Sequence, residues 1–195
     1  SLVYRKEYSG ISGFLNNVFR SDVVERDRKI AVARRLAGDS AYIRDNGGSL
    51  AESLLILEEQ YPGDEEVMSL RPGVYEAAGM TEQAIERYEE IIGKVKQGFW
   101  FGERLMILYA EKKDYRKLYD LAGPYSRENN RSILGKVYYA IAAMELKEYN
   151  VADNELKKAL ILAGNNDEMK VQVLSLMGDL KYRMKDFDSS YSSYE

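Results

Sequence analysis

Along much of this chain, apolar residues recur at steps of three and four, and short polar stretches break the pattern. Such steps place apolar side chains on one face of a helix. The segments VYEAAGMTEQAIERYEEII, LYAEKKDYRKLYDLAGPY and IAAMELKEYNVADNELKKAL share one layout: an apolar helical stretch, a polar turn, and a second apolar-periodic helix. The turns AAGMTE, EKKDY and LKEYN are short enough to force the flanking helices into antiparallel hairpins. Equivalent positions recur at an interval of 34: Tyr75, Tyr109 and Ala143 (109 − 75 and 143 − 109), Thr81, Tyr115 and Tyr149, and Ala84, Leu118 and Ala152. GDLKYRMKDFDSSYSSYE predicts a further hairpin, with Phe187 in the place of Tyr149 at a spacing of 38 (187 − 149). The longer interval fits LAGNNDEMK, where Asn165, Asn166 and Asp167 suit a loop and the N-cap of the next helix.

Residues 1–61 are less regular. SGFLNNVFR and SDVVERDRKIAVARRLAG predict helices, with Ser21 or Asp22 as a cap and Gly38 as a stop. SLAESLLILEEQY predicts an amphipathic helix, and Asn46-Gly47-Gly48 a loop before it. Two prolines conflict with the helical pattern. Pro72 predicts a kink or break near Arg71–Gly73, because a proline inside a helix costs about 3 kcal/mol. Pro124 predicts an end or a bend.

A 34-residue helix–turn–helix period resembles the tetratricopeptide repeat. LMGDLKYRMKDFDSSYSSYE carries the resemblance most fully. Gly178 matches the slot where two helices of a unit approach, Phe187 the start of the second helix, and Tyr194 a position further along it. QYPGDEEVMSL adds Pro62 at a junction between units. In the other units the slot of Gly178 holds Pro72, Met106 and Ala140, and Ser190 replaces a small alanine. The resemblance implies an all-α, right-handed superhelical array of antiparallel helix hairpins over residues 62–195. Its units are expected at 65–98, 99–132, 133–170 and 171–195, the last incomplete. Residues 1–61 are expected to form degenerate helix pairs before them. The stretch LNNVFRSDVVERDRKIAVARRL, followed by such units, is similar to the envelope-associated tetratricopeptide proteins of Bacteroidetes, which implies a cell-envelope setting.

Composition narrows the chemistry. The chain has no cysteine and no histidine, which removes disulfides, thiolate nucleophiles, imidazole bases and the usual zinc and haem ligand sets. No enzymatic activity and no cofactor are expected. The net charge is −4 and basic residues are dispersed, so the clustered basic face of a nucleic-acid binder is missing. No run approaches the roughly 20 apolar residues of a membrane span. The chain starts SLVYRKEY without a methionine and ends FDSSYSSYE inside an expected helix, which reads as a piece of a longer protein.

The function expected is therefore non-catalytic: a scaffold or adaptor that binds a protein or peptide. In the family, first helices line the concave face. That assigns Glu66, Glu76, Trp100, Glu103, Ile107, Glu111, Val137, Ile141, Met144, Glu145, Asp179, Tyr182 and Arg183 to a groove. A carboxylate clamp needs several cations. Only Arg183 qualifies among many acids, so the groove suits a basic and hydrophobic segment. QGFWFGE contains the sole tryptophan. Successive helical residues point about 100° apart, so one or two of Phe99, Trp100 and Phe101 must enter the core. Trp100 is either a groove residue or a filler between units. Self-association through an open C-terminal helix, and a groove for a small molecule or glycan, are the alternatives.

Overall fold

The computed structural model describes residues 12–94 and 99–191. Every regular element among them is helical. The chain divides into two units, Ser1–Phe101 and Gly102–Glu195. The fold is an all-α, tetratricopeptide-like array of helix hairpins.

The first unit contains α1 (12–20), α2 (Arg26–Ala37), α3 (Ser40–Gln60), α4 (Glu65–Met68), α5 (Leu70–Ala77) and α6 (Thr81–Ile92), and takes in the start of α7 (Phe99–Glu111). Its core joins Phe19 of α1, Ile30 of α2, Leu50, Leu54 and Leu57 of α3, Val67 of α4 and Val74 of α5. The second unit holds the rest of α7, then α8 (Tyr115–Glu128), α9 (Ile133–Glu145), α10 (Tyr149–Ala163) and α11 (Asp167–Tyr191). Ala140, Ala143, Ala152, Leu156, Ala159, Val173 and Leu180 form its main core cluster.

The period found in the sequence has a backbone counterpart. After α5, α7 and α9 the chain turns in the same way. Met80 N–H donates to the Tyr75 carbonyl at 2.8 Å, Asp114 to Tyr109 at 2.9 Å, and Glu148 to Ala143 at 2.8 Å. The residues just before these donors, Gly79, Lys113 and Lys147, have φ of 70°, 58° and 63°. This is the helix-ending motif in which one left-handed residue lets two amides turn back to the last carbonyls. Glycine adopts that backbone freely, whereas a lysine there pays a steric cost from its Cβ. Ala84, Leu118 and Ala152, one turn into the following helices, are fully buried.

Several local expectations are corrected. Asn46-Gly47-Gly48 is not a loop but lies inside α3. A Cβ on Gly47 would sit 2.5 Å from the Cβ of Ala78, so this glycine serves a close approach of α3 to the end of α5. Asn46 Nδ2 donates back to the Tyr42 carbonyl at 3.0 Å, a bond that helical geometry supplies. α2 begins at Arg26, and neither Ser21 nor Asp22 caps it. Ser21 Oγ instead accepts from Val23 N–H in a local turn. Gly38 does end α2.

The break expected near Pro72 falls at Ser69, between α4 and α5. Pro72 then stands in the first turn of α5, where its missing N–H has no helical partner to lose. Pro124 lies inside α8 and does not end it. Asn166 does cap α11, its Oδ1 accepting from Met169 N–H at 3.0 Å. α11 then runs unbroken to Tyr191, through Lys185-Asp186, where the repeat spacing places a turn. Among the described residues, nothing lies within 4 Å of where a Cβ on Gly178 would stand. Tyr194 and residues 1–11 lie outside the described residues.

Candidate functional site

In the first unit, Trp100 and Phe101 diverge as their helical geometry requires. Phe101 is 3% exposed and Trp100 51%. The Trp100 ring meets Phe101 edge-on at 5.2 Å and Tyr88 edge-on at 6.2 Å. Phe101 itself packs on Tyr88, ring centres 6.2 Å apart. Tyr88 is fully buried, and its hydroxyl donates to Glu76 Oε1 at 2.6 Å. Trp100 is thus held from behind by two fixed rings, while half of its surface stays open. The side chain of Phe99 lies outside the described residues.

Glu66 also faces protein rather than solvent alone. Arg26 Nη2 donates to its Oε2 at 2.8 Å, and Arg34 pairs with its Oε1 at 3.0 Å. Arg26 further holds Asp64, the N-cap of α4, with contacts of 2.7 and 2.8 Å. The hydrogen bond from Arg26 is the main reason that the Asp64 carboxyl lies below its ordinary pKa.

In the second unit, Glu103 accepts from the Tyr125 hydroxyl at 2.7 Å and from Ser132 Oγ at 3.2 Å. Ser132 Oγ also accepts the Gly135 N–H that it caps. The Tyr125 ring lies between two glycines. A Cβ on Gly135 would come within 2.7 Å of it, and one on Gly102 within 3.3 Å. Burial, and then the bond to Glu103, pushes the Tyr125 hydroxyl well above its ordinary pKa. Ile107, Val137 and Ile141 are half-buried. Met144, assigned to the groove by spacing, is buried in the core cluster with Leu156 and Val173. Its place on α9 turns it toward α10 and α11 rather than outward.

Arg183 pairs with Glu145 at 3.0 Å and with Asp179 at 3.1 Å. The one cation available for a carboxylate clamp is therefore already occupied. Glu111 is exposed, and its charge helps to raise the Tyr138 hydroxyl, after burial as the larger cause. Tyr182 is exposed on α11. Tyr138 and Tyr139 are both half-buried. Tyr139 packs on Tyr119 at 4.9 Å.

The structure thus gives internal donors to five of the six carboxylates assigned to the groove: Glu66, Glu76, Glu103, Glu145 and Asp179. Sequence spacing misses these partners because Arg26 is 40 residues from Glu66 and Tyr125 is 22 from Glu103. One signal was present: a tyrosine buried at a repeat position needs an acceptor for its hydroxyl. Among the described residues, no group of acidic side chains is arranged to hold a metal ion, and no helix is long and apolar enough to cross a membrane.

No protein-family model and no curated protein matches the chain. Solved structures do. A MamA structure from AMB-1 is 19% identical, with 77% of this chain and 96% of that chain covered and a TM-score of 0.51. MamA 41-end from Desulfovibrio magneticus RS-1 is 9% identical over 80% of this chain and 96% of that one, at 0.55. An RS-1 MamA double mutant is 10% identical over 82% and 97%, at 0.54. At these identities the likeness concerns the fold, a tetratricopeptide-like helical repeat.

Proposed function

We propose that the chain is a non-catalytic scaffold that binds a protein or peptide segment, with Trp100 as the anchor. The observation that carries this reading is the half-open indole held edge-on by buried Phe101 and Tyr88. A rigid tryptophan with one free face offers large contact area and loses little rotamer entropy on binding. The internal pairing of most of the assigned acids moves the expected partner away from a basic segment. An apolar or amphipathic helix or strand fits better. A cell-envelope setting rests on the resemblance of residues 15–36, and fractionation of source cells tests it.

Capture from a lysate of the source organism tests the function, with wild type beside Trp100→Ala and Glu111→Gln. All three proteins are checked by circular dichroism. The reading expects a partner held by wild type and by Glu111→Gln but lost by folded Trp100→Ala. Equal capture by all three contradicts it.

Self-association is a second reading, supported by α11. Val171, Leu174 and Tyr182 are exposed, and their spacing of 3 and 8 places them on one helical face. Size-exclusion chromatography with light scattering tests it. A dimer that Leu174→Glu dissolves supports this reading, and a wild-type monomer at high concentration rejects it.

A further inference from the structure

A cavity of about 420 Å³ opens in the second unit between the ends of α8 and α10. It involves none of the residues assigned to partner binding. Charged groups line its inner part. Lys136 of α9 and Glu155 of α10 are buried. Ser126 Oγ donates to Glu155 Oε2 at 2.6 Å, and Lys158 Nζ donates to Glu155 Oε1 at 2.6 Å. Lys136 Nζ donates to the Ser126 carbonyl and to Ser126 Oγ, both at 3.2 Å. Its distance to Glu155 Oε2 is 3.8 Å, beyond a hydrogen bond. An ammonium has three protons to donate, so one of them lacks an acceptor in reach among the described residues.

A buried Ser, Lys and Glu together raise the question of catalysis. The hydrogen bonding answers against it. Burial pushes the Glu155 carboxyl up, but bonds from Lys158 and Ser126 and the charges of both lysines outweigh that and leave it below its ordinary pKa. A carboxylate held so firmly is a poor base, and the Ser126 oxygen accepts from Lys136 Nζ. The network is built to hold charge in place.

The balance of that charge indicates what else it can hold. Arg127, Lys136 and Lys158 line the cavity against the single carboxylate of Glu155. The pocket is therefore positive in a chain whose net charge is −4. Arg127 is exposed and makes no ion pair among the described residues. Beside these cations stands Ile161, 78% exposed on the cavity's rim. A cavity of this size lies within the roughly 300–1,000 Å³ range of small-ligand sites. Cationic donors beside an apolar ledge match an amphipathic anion. We propose that this pocket binds a carboxylate with an apolar body, its anionic end on Arg127 and its body on Ile161. The guanidinium presents paired donors to a carboxylate, and an amide has no such charge to offer.

Calorimetric titration and thermal shift of the full 195-residue chain test this. The probes are octanoate, octanamide, and an acetylated tri-leucine with a free or an amidated C-terminus. The proposal expects octanoate or the free-acid peptide to bind and raise the melting temperature. It expects the neutral counterpart to bind about tenfold more weakly, in line with the value of a charge-assisted bond. Preference for the peptide identifies a chain end as the natural source, and preference for octanoate a free small molecule. Arg127→Gln and Ile161→Asn, both at exposed positions, should each weaken binding with the fold intact. Val23→Ser, an exposed position of the first unit, should bind these probes as wild type does. The proposal is overturned if neither free acid binds, if the amides bind equally, or if Arg127→Gln binds unchanged.

Discussion

Gly47 and Gly48 are neighbours in α3, and the same substitution at each should have opposite effects. A Cβ at Gly47 would lie 2.5 Å from the Cβ of Ala78 and 3.8 Å from its Cα. The obstacle is fixed to the backbone, so it cannot swing away as the tip of a long side chain would. Overpacking of this kind costs up to about 3 kcal/mol. Replacing a helical glycine by alanine returns about 1 kcal/mol through helix propensity. Gly47→Ala should therefore destabilise the first unit by about 2 kcal/mol. At Gly48 a Cβ meets nothing within 4 Å. Gly48→Ala keeps only the propensity gain and should stabilise by about 1 kcal/mol. The assay is urea unfolding followed by tryptophan fluorescence, because the sole tryptophan, Trp100, belongs to the first unit. If Gly47→Ala is neutral or stabilising, α3 does not approach Ala78 as described. If both substitutions destabilise, residues 46–48 form a turn that needs glycine, and the continuous helix is wrong.

Four more predictions follow from the same geometry. Lys113→Gly and Lys147→Gly relieve left-handed lysines and should each stabilise by about 0.5–1 kcal/mol, measured as higher urea midpoints. Tyr125→Phe removes the hydroxyl that donates to Glu103 and should cost about 1–2 kcal/mol in urea unfolding followed by circular dichroism. Trp100→Ala, at a half-exposed position, should cost about 1–2 kcal/mol, less than the loss for a fully buried aromatic. The Asp64 carboxyl is depressed in the fold, so its stabilising contribution is complete above the carboxyl's unfolded pKa and is lost as pH falls through the folded value. Stability of wild type should therefore drop more steeply below about pH 4 than that of Asp64→Asn, as measured by acid titration with circular dichroism.

The repeat was legible because its signal is local. Each hairpin turn spans a few residues, and the interval of 34 aligned Tyr75, Tyr109 and Ala143, whose carbonyls accept the bonds that close the three turns. Non-local contacts were not legible. Asn46-Gly47-Gly48 has the composition of a loop, and the contact that requires a glycine inside this helix lies 31 residues away at Ala78 (78 − 47). Local sequence past Lys185 permits either a helix or a turn, and α11 continues there as a helix. In the candidate groove, the divergence of Trp100 and Phe101 was legible, because successive helical residues point about 100° apart. The groove was misread at the acids, because the donors to Glu66 and Glu103 come from other helices. It was misread at Met144 too, where the spacing that assigns a face could not show how closely α10 and α11 cover it.

The central claim is that Trp100 contacts a partner. Its fluorescence is uncontaminated by any other tryptophan. The most direct measurement is acrylamide quenching of the wild-type chain, alone and then saturated with a protein that it captures. The account predicts ready quenching of the free chain, then a blue shift and clear protection in the complex. A complex in which emission and quenching stay unchanged would contradict it, because the partner would then be bound elsewhere.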